Sequence, residues 1–216
     1  MTRTVLCFGD SNTHGTPPVP ALDAPSGRFG RDTRWPCLMA GHLGADWHVI
    51  EEGHPGRTTV HDDPIEGAHR NGITVLPSLL ESHKPIDVVI LMLGTNDLKG
   101  RFSVNPTDIA LSLERLIGVI RSFACGPEGK HPGILLVSPP PIIEAGCLAE
   151  MFEGGAAKSQ LLAAAIAKSA TRANVAFLDA GAHIAVSPVD GIHYEPGAHA
   201  TLALALAAAL RENFDT

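Results

Sequence analysis

The chain has no basic run, and over its 216 residues acidic side chains outnumber basic ones by 23 to 16, for a formal net charge of −7. That balance excludes nucleic acid and anionic membrane as the main partner. Its four cysteines, Cys7, Cys37, Cys125 and Cys147, lack the paired short spacings of a zinc site or a disulfide framework. No His-Glu-x-x-His or comparable ligand spacing occurs, so neither a metal nor another cofactor is expected. The longest apolar stretch, residues 200–210, is too short and Ala-rich to span a bilayer. The first apolar run begins too near the N-terminus to leave room for a secretory leader. The expectation is a soluble protein of the reducing cytoplasm. There is no internal repeat, low-complexity tract or second domain, so residues 1–216 are expected to form one domain around one sizeable core.

What is present is an alternation of short apolar runs and helical patterns. Val5-Leu6-Cys7-Phe8, Trp47-His48-Val49-Ile50, Ile86 to Leu93, Ile134 to Ser138 and Val175 to Asp179 predict five strands. Between them, helical spacing predicts segments after Thr33 as cap, over Ile73 to His83, and from Asn105 or Thr107 onward. An Ala-rich helix from about Ala156 to Arg172 and a last helix from Pro196 to Glu212 complete the set. Thr16 to Gly30 and Glu51 to Thr59 are predicted loops. The alternation implies a three-layer α/β/α, flavodoxin-like fold with a five-stranded parallel sheet in order 2-1-3-4-5. In that order the switch point lies between strands one and three, which end at Ser11 and Asn96.

Four loops leaving strand ends carry Ser11, Gly56, Asn96 and the pair Asp190 and His193. A serine hydroxyl needs an adjacent general base, and the base needs a group that fixes its tautomer. Asp190-Gly191-Ile192-His193 offers both on one turn. Nε2 of His193 would take the Ser11 proton while Asp190 holds Nδ1. The oxyanion formed by attack on a carbonyl needs fixed donors, and the N–H groups of Ser11 and Gly56 and the amide of Asn96 can supply three. Asn12, Thr13, Thr95, Lys99, Phe152 and Ile192, with Met151, flank these loops as substrate-binding candidates.

These residues resemble the four blocks of the SGNH (GDSL-type) hydrolase superfamily: Gly9-Asp10-Ser11, the Gly56 loop, Gly94-Thr95-Asn96-Asp97 and Asp190-Gly191-Ile192-His193. The longer matches Leu6-Cys7-Phe8-Gly9-Asp10-Ser11, Ile50-Glu51-Glu52-Gly53, Arg57-Thr58-Thr59 and Phe152-Glu153-Gly154-Gly155 are similar to its arylesterase/acyltransferase branch. The resemblance implies a triad of Ser11, Asp190 and His193, oxyanion donors at Ser11, Gly56 and Asn96, and small-molecule ester substrates with short acyl groups. It also implies a homo-oligomer, often an octamer, and acyl transfer to alcohols beside hydrolysis. The sequence departs from the pattern at Asn12 and His14, beside the expected nucleophile, which predicts a more polar pocket, and at His54-Pro55 before Gly56, which predicts a changed loop shape with the same donor.

Simpler readings stand beside these. Asn96 is also a plausible cap, Asp190 and His193 an ordinary loop pair, and Lys99 and Arg101 solvated cations. The histidines outside the triad, His183 and His199 among them, are expected at the surface or at caps. A carbohydrate O-acetyl esterase is the alternative enzyme. A flavodoxin-like module cradling a phosphate or flavin on Ser11 to Gly15 is the non-enzymatic alternative, betrayed by flavin absorbance.

Overall fold

A computed structural model describes residues 2–25 and 27–215. Five parallel strands, β1 (Arg3–Gly9), β2 (Trp47–Gly53), β3 (Val88–Met92), β4 (Gly133–Ser138) and β5 (Ala176–Asp179), form one sheet in the order β2-β1-β3-β4-β5. The helices are α1 (Ser11–His14), α2 (Trp35–Leu43), α3 (Gly72–His83), α4 (Pro106–Ser122), α5 (Gly155–Ser159), α6 (Leu162–Ala173) and α7 (Pro196–Phe214). Side chains of a strand alternate between faces, and here the two faces build two cores. Leu6 and Phe8 of β1, with Val89 and Leu91 of β3, pack against α3, α4 and α6 through Leu76, Leu113 and Ile166. Val5 and Cys7, with Val88, Ile90 and Met92, pack against α2 and α7 through Trp35, Met39, Leu202 and Leu206. Every residue of β3 is buried, which is why its sequence is an uninterrupted apolar run.

Some boundaries follow the expectation, as at Asn105, and others differ because a partner distant in the chain decides them. β2 continues through Glu51, Glu52 and Gly53, because its carboxylates find partners: Glu51 accepts from Arg34 at 2.5 and 2.8 Å, and Glu52 meets His83 at 2.7 Å. Thr33 does not cap α2. The helix starts after Arg34, and its first N–H, that of Trp35, is accepted by Nδ1 of the buried His199 on α7 at 3.3 Å. Asn105 caps α4 with a reciprocal box to Asp108, and Pro106 occupies the first helical position. The Ala-rich helix is broken at Gln160–Leu161 into α5 and α6. Ser159 holds the break: its hydroxyl donates to the Ala156 carbonyl and accepts from the Ile142 N–H.

The sheet sets the Ser11 turn on a glycine floor. Gly9 and Gly53 are partners at the ends of β1 and β2. A Cβ on Gly9 would run into the Thr13 side chain, and one on Gly53 into the backbone of Thr13 and His14. The single turn α1 therefore lies directly on the sheet edge, closed by Gly15 in the left-handed region at φ 86°. Among the described residues no helix is long and apolar enough to cross a membrane. This packing predicts that Gly53→Ala lifts α1 and lowers stability by about 1–3 kcal/mol, the usual cost of overpacking. Urea denaturation reads it, and an unchanged midpoint would mean that α1 is not seated on β2.

Candidate active site

Four strand-end loops meet at the carboxyl edge of the sheet. After β1, Asp10 caps α1 by accepting the Asn12 N–H at 3.0 Å, which fixes Ser11 as the first residue of the turn. After β3, Gly94 at φ 118° turns the chain, and its missing Cβ leaves room for Ile109. The following short helical turn carries Asn96. One Asn96 amide hydrogen goes to the Arg57 carbonyl at 3.1 Å, tying this block to the loop after β2. Beyond β5, Asp190 and His193 share a turn in which Gly191 takes φ 76°, and a Cβ there would strike the Ile143 carbonyl.

The Ser11 Oγ lies 3.1 Å from Nε2 of His193, and Nδ1 of His193 lies 2.6 Å from Oδ2 of Asp190. Asp190 is fully buried, so its charge has to be met by donors within the fold. Oδ1 accepts the N–H groups of Ile192 and His193, both at 2.9 Å, and Oδ2 accepts the Val19 N–H at 2.7 Å. Burial pushes the carboxyl up, yet the hydrogen bond and charge of His193, with the backbone donors of His193 and Val19, outweigh it and hold the pKa at about 2. Asp190 is therefore a carboxylate throughout the neutral range, able to orient an imidazole and stabilise an imidazolium.

A cavity of about 170 Å³ opens beside Ser11 and His193, lined also by Gly56, Asn96, Thr16, Pro55, Glu66, Lys99, Leu148, Met151, Phe152 and Ile192. Gly56 sits at φ 73°, and a Cβ there would come within 2.6 Å of Glu66 Oε2 and 3.2 Å of Arg70 Cδ. Glycine is thus required both by conformation and by space. Among the described residues the Ser11 and Gly56 N–H groups have no acceptor within the protein. With the second amide hydrogen of Asn96 they leave three donors uncommitted beside the nucleophile.

Of the substrate-binding candidates, Lys99, Phe152 and Ile192 line the cavity, and so does Met151. Asn12, Thr13 and Thr95 do not. Asn12 is buried, and its amide donates to the Ile192 carbonyl at 3.2 Å, holding the histidine loop against the nucleophile turn. Thr13 is buried against Gly9, and Thr95 lies buried where the Asn96 turn begins. His14 is also absent from the lining, with its ring 3.1 Å from the Thr16 hydroxyl. The polar part of the wall comes instead from Thr16, Glu66 and Lys99.

The expectation of a solvated Lys99 is corrected: it is only 3 % exposed and pairs with Glu66 at 2.5 Å. Asp63 lies 3.8 Å from Lys99 and 3.0 Å from Arg101, so Arg101 belongs to the same ion cluster. His183 is exposed as expected, whereas His199 is a buried cap, its pKa lowered to about 4 chiefly by burial. Local sequence gave no role to Arg57, which is buried over the Phe8 ring at 4.4 Å and donates to the Gly9 carbonyl at 2.8 Å. Asp97 is likewise buried and accepts both the N–H and the hydroxyl of Thr59, locking the Asn96 block to the Gly56 loop. The only available signal for either was its presence in the family-like stretches.

The GDSL-like lipase/acylhydrolase family model matches residues 7–202, and the chain belongs to that family. Among solved structures, the aryl esterase of M. smegmatis is 42% identical with a TM-score of 0.93, covering 98% of this chain and 99% of its own. Est24, a carbohydrate acetylesterase from Sinorhizobium meliloti, is 40% identical with a TM-score of 0.93, covering 99% and 100%. A second carbohydrate acetylesterase family member from Sinorhizobium meliloti is 35% identical with a TM-score of 0.91, covering 100% of both chains. No curated protein matches the chain. The protein is a carboxylic ester hydrolase of the SGNH type, which sets aside the phosphate- or flavin-binding alternative.

Beside the nucleophile, Asp10 is 2 % exposed and its pKa is raised to about 6. Burial is the main cause, partly offset by the Asn12 N–H and by the charges of His193 and Arg57. A carboxyl that holds its proton more tightly when folded favours the folded state at low pH. That advantage disappears as pH rises through roughly 4 to 6. Asp10→Asn keeps the acceptor for Asn12 and removes the charge. At pH 7.5 it should be more stable than wild type by on the order of 3 kcal/mol, the gap closing near pH 4. Denaturant unfolding at both pH values checks this, and a variant weaker at pH 7.5 would show that the Asp10 charge is stabilised in the fold.

Proposed function

We propose that the chain cleaves short acyl esters by covalent catalysis at Ser11, with His193 as general base and acid and Asp190 as its orienting carboxylate. The observation that carries this is the unbroken Ser11–His193–Asp190 hydrogen-bond chain opening onto the cavity. Ser11 Oγ attacks the ester carbonyl as Nε2 of His193 takes its proton. The oxyanion is met by the N–H groups of Ser11 and Gly56 and the free amide hydrogen of Asn96. Collapse expels the alcohol, which receives the proton from His193. Water repeats the sequence on the acyl-Ser11 ester and regenerates the serine.

The size of the cavity supports small acyl or aryl groups. At about 170 Å³ it is comparable with the roughly 150 Å³ engineered cavity that holds a benzene ring. Leu148, Met151, Phe152 and Ile192 give it an apolar side that favours attack by alcohols over water. A second reading, deacetylation of a sugar, is favoured by Glu66 and Lys99 on the opposite chemistry of the same wall. Among the described residues no hydrogen bond to Glu66 Oε2 is formed, and Arg70 Nε stands 3.7 Å from it, so it supports an acceptor for a substrate hydroxyl. We carry forward a cytoplasmic site, supported by four free cysteines. The support for a homo-oligomer is the exposure of Leu22 and Ile65, on the loops that also carry Thr16 and Glu66.

An organophosphonate ester should add once per chain, at Ser11, and Ser11→Ala should lose both labelling and turnover. Labelling elsewhere with activity retained would overturn the assignment. Asn96→Ala should lower kcat by roughly 10²–10³ with a smaller change in KM, the cost of one oxyanion donor. A near-normal kcat would leave Asn96 as the partner of Arg57 alone. With phenyl acetate and benzyl alcohol, benzyl acetate should form beside free acetate. Free acetate alone at every tolerated alcohol concentration would define a plain hydrolase, and a preference for an acetylated sugar over phenyl acetate would favour the second reading.

A further inference from the structure

The loop of residues 16–30 contains Thr16-Pro17-Pro18-Val19-Pro20. Proline has no N–H, so between Thr16 and Ala21 the chain carries a single backbone donor, that of Val19. That donor is the one spent on Oδ2 of Asp190 at 2.7 Å, the same oxygen that faces Nδ1 of His193. The segment is anchored at both sides of this contact. Thr16 donates its N–H to the Ser11 carbonyl at 3.0 Å, and Cys147 Sγ donates to the Val19 carbonyl at 3.2 Å. The loop returns to the nucleophile turn through Phe29 N–H to the Gly15 carbonyl and Arg28 Nε to the His14 carbonyl, both at 2.7 Å.

We infer that Val19 is a positioning residue for catalysis: its peptide N–H, presented by a proline-stiffened strap that starts on Ser11, sets the orientation of Asp190 and through it of His193. This rests on the triad reading above. Three prolines fix φ along the strap and lower the entropy lost on placing the donor. A donor held in this way keeps Oδ2 from rotating about the Asp190 side chain, so Nδ1 of His193 meets a fixed acceptor. The donor is a backbone group, so its effect is separable from the packing of the Val19 side chain.

The test deletes the N–H and little else. An amide-to-ester exchange at position 19, with the α-hydroxy acid analogue of valine, removes the donor and keeps the isopropyl group. Val19→Pro removes it genetically, and Val19→Ala retains it. With a short acetate ester, the backbone-ester protein should lose roughly 10- to 100-fold in kcat, the scale of one hydrogen bond to a charged group, at little change in KM. The acid limb of its kcat/KM profile should move to higher pH, since a carboxylate with one donor fewer attracts a proton within the triad more strongly. Val19→Ala should keep wild-type kcat and profile. A backbone-ester protein with wild-type kcat and pH profile overturns the inference, and so does an equal loss in Val19→Ala, which would indicate packing. Asp190→Asn separates the two levels. If it is inactive while the backbone ester is normal, only the role of Val19 falls. If Asp190→Asn is fully active, the triad reading falls and this inference with it.

Discussion

A buried carboxylate without donors is too costly to persist as an anion, so the surroundings of Asp190 are constrained before any chemistry is considered. Four N–H groups meet its two oxygens: those of Ile192 and His193 on Oδ1, and Val19 and the imidazole Nδ1 on Oδ2. Each contact fixes a piece of chain. The two on Oδ1 close the 190–193 turn, with Gly191 supplying the left-handed residue that lets the backbone curl around the side chain. The one from Val19 ties a loop that begins more than 170 residues earlier, and the last fixes the plane of the imidazole. Satisfying one charge thus shapes the loop, the strap and the placement of the His193 imidazole together.

The sheet brings the remaining groups to that point. In the order β2-β1-β3-β4-β5, connections leave β1 and β3 toward opposite faces, and the crevice between those strand ends is where a ligand fits. Ser11 and Asn96 close these two strands, and the loop after neighbouring β2 brings Gly56. The loops are then cross-braced by buried polar contacts: Arg57 to the Gly9 carbonyl, Asn96 to the Arg57 carbonyl, Thr59 to Asp97 and Asn12 to the Ile192 carbonyl. A site built of loops acquires the rigidity that oxyanion stabilisation demands, because its donors need no reorganisation during reaction.

How much of this was legible depended on whether the cause was local. The alternating and continuous apolar runs of β1, β3 and β4, and the spacing of α3 and α4, disclose themselves because burial imposes a period on neighbouring residues, while α7 was marked by Pro196 at its start. The strand order and the convergence of Ser11, Gly56, Asn96, Asp190 and His193 followed from those runs. What the sequence did not reveal has partners far away in the chain. Glu51 and Glu52 looked like loop residues because their partners are distant in the chain: Arg34 just before α2 and His83 at the end of α3. Lys99 looked solvated because its carboxylate, Glu66, belongs to another loop. The cap of α2 is a histidine from α7, and the donor on Asp190 is a backbone group, which no side-chain pattern records.

The cluster around Gly56 is where local chemistry meets substrate choice. A carboxylate near an oxyanion site opposes the charge that develops there, and Glu66 Oε2 lies 2.6 Å from where a Cβ of Gly56 would be. Its field is not left bare. Lys99 binds Oε1 at 2.5 Å, Arg101 stands 3.6 Å from the same oxygen, and Arg70 stands 3.7 Å from Oε2, while Asp63 is the second acid in the group. Within the cluster itself three cations stand against two carboxylates, which offsets the charge of Glu66. The group therefore tempers the charge of Glu66 while forming no hydrogen bond to its second carboxylate oxygen. Apolar side chains and a carboxylate are thus both on the wall of one small cavity, so on the proposed reading the two halves of an ester would meet different chemistry there.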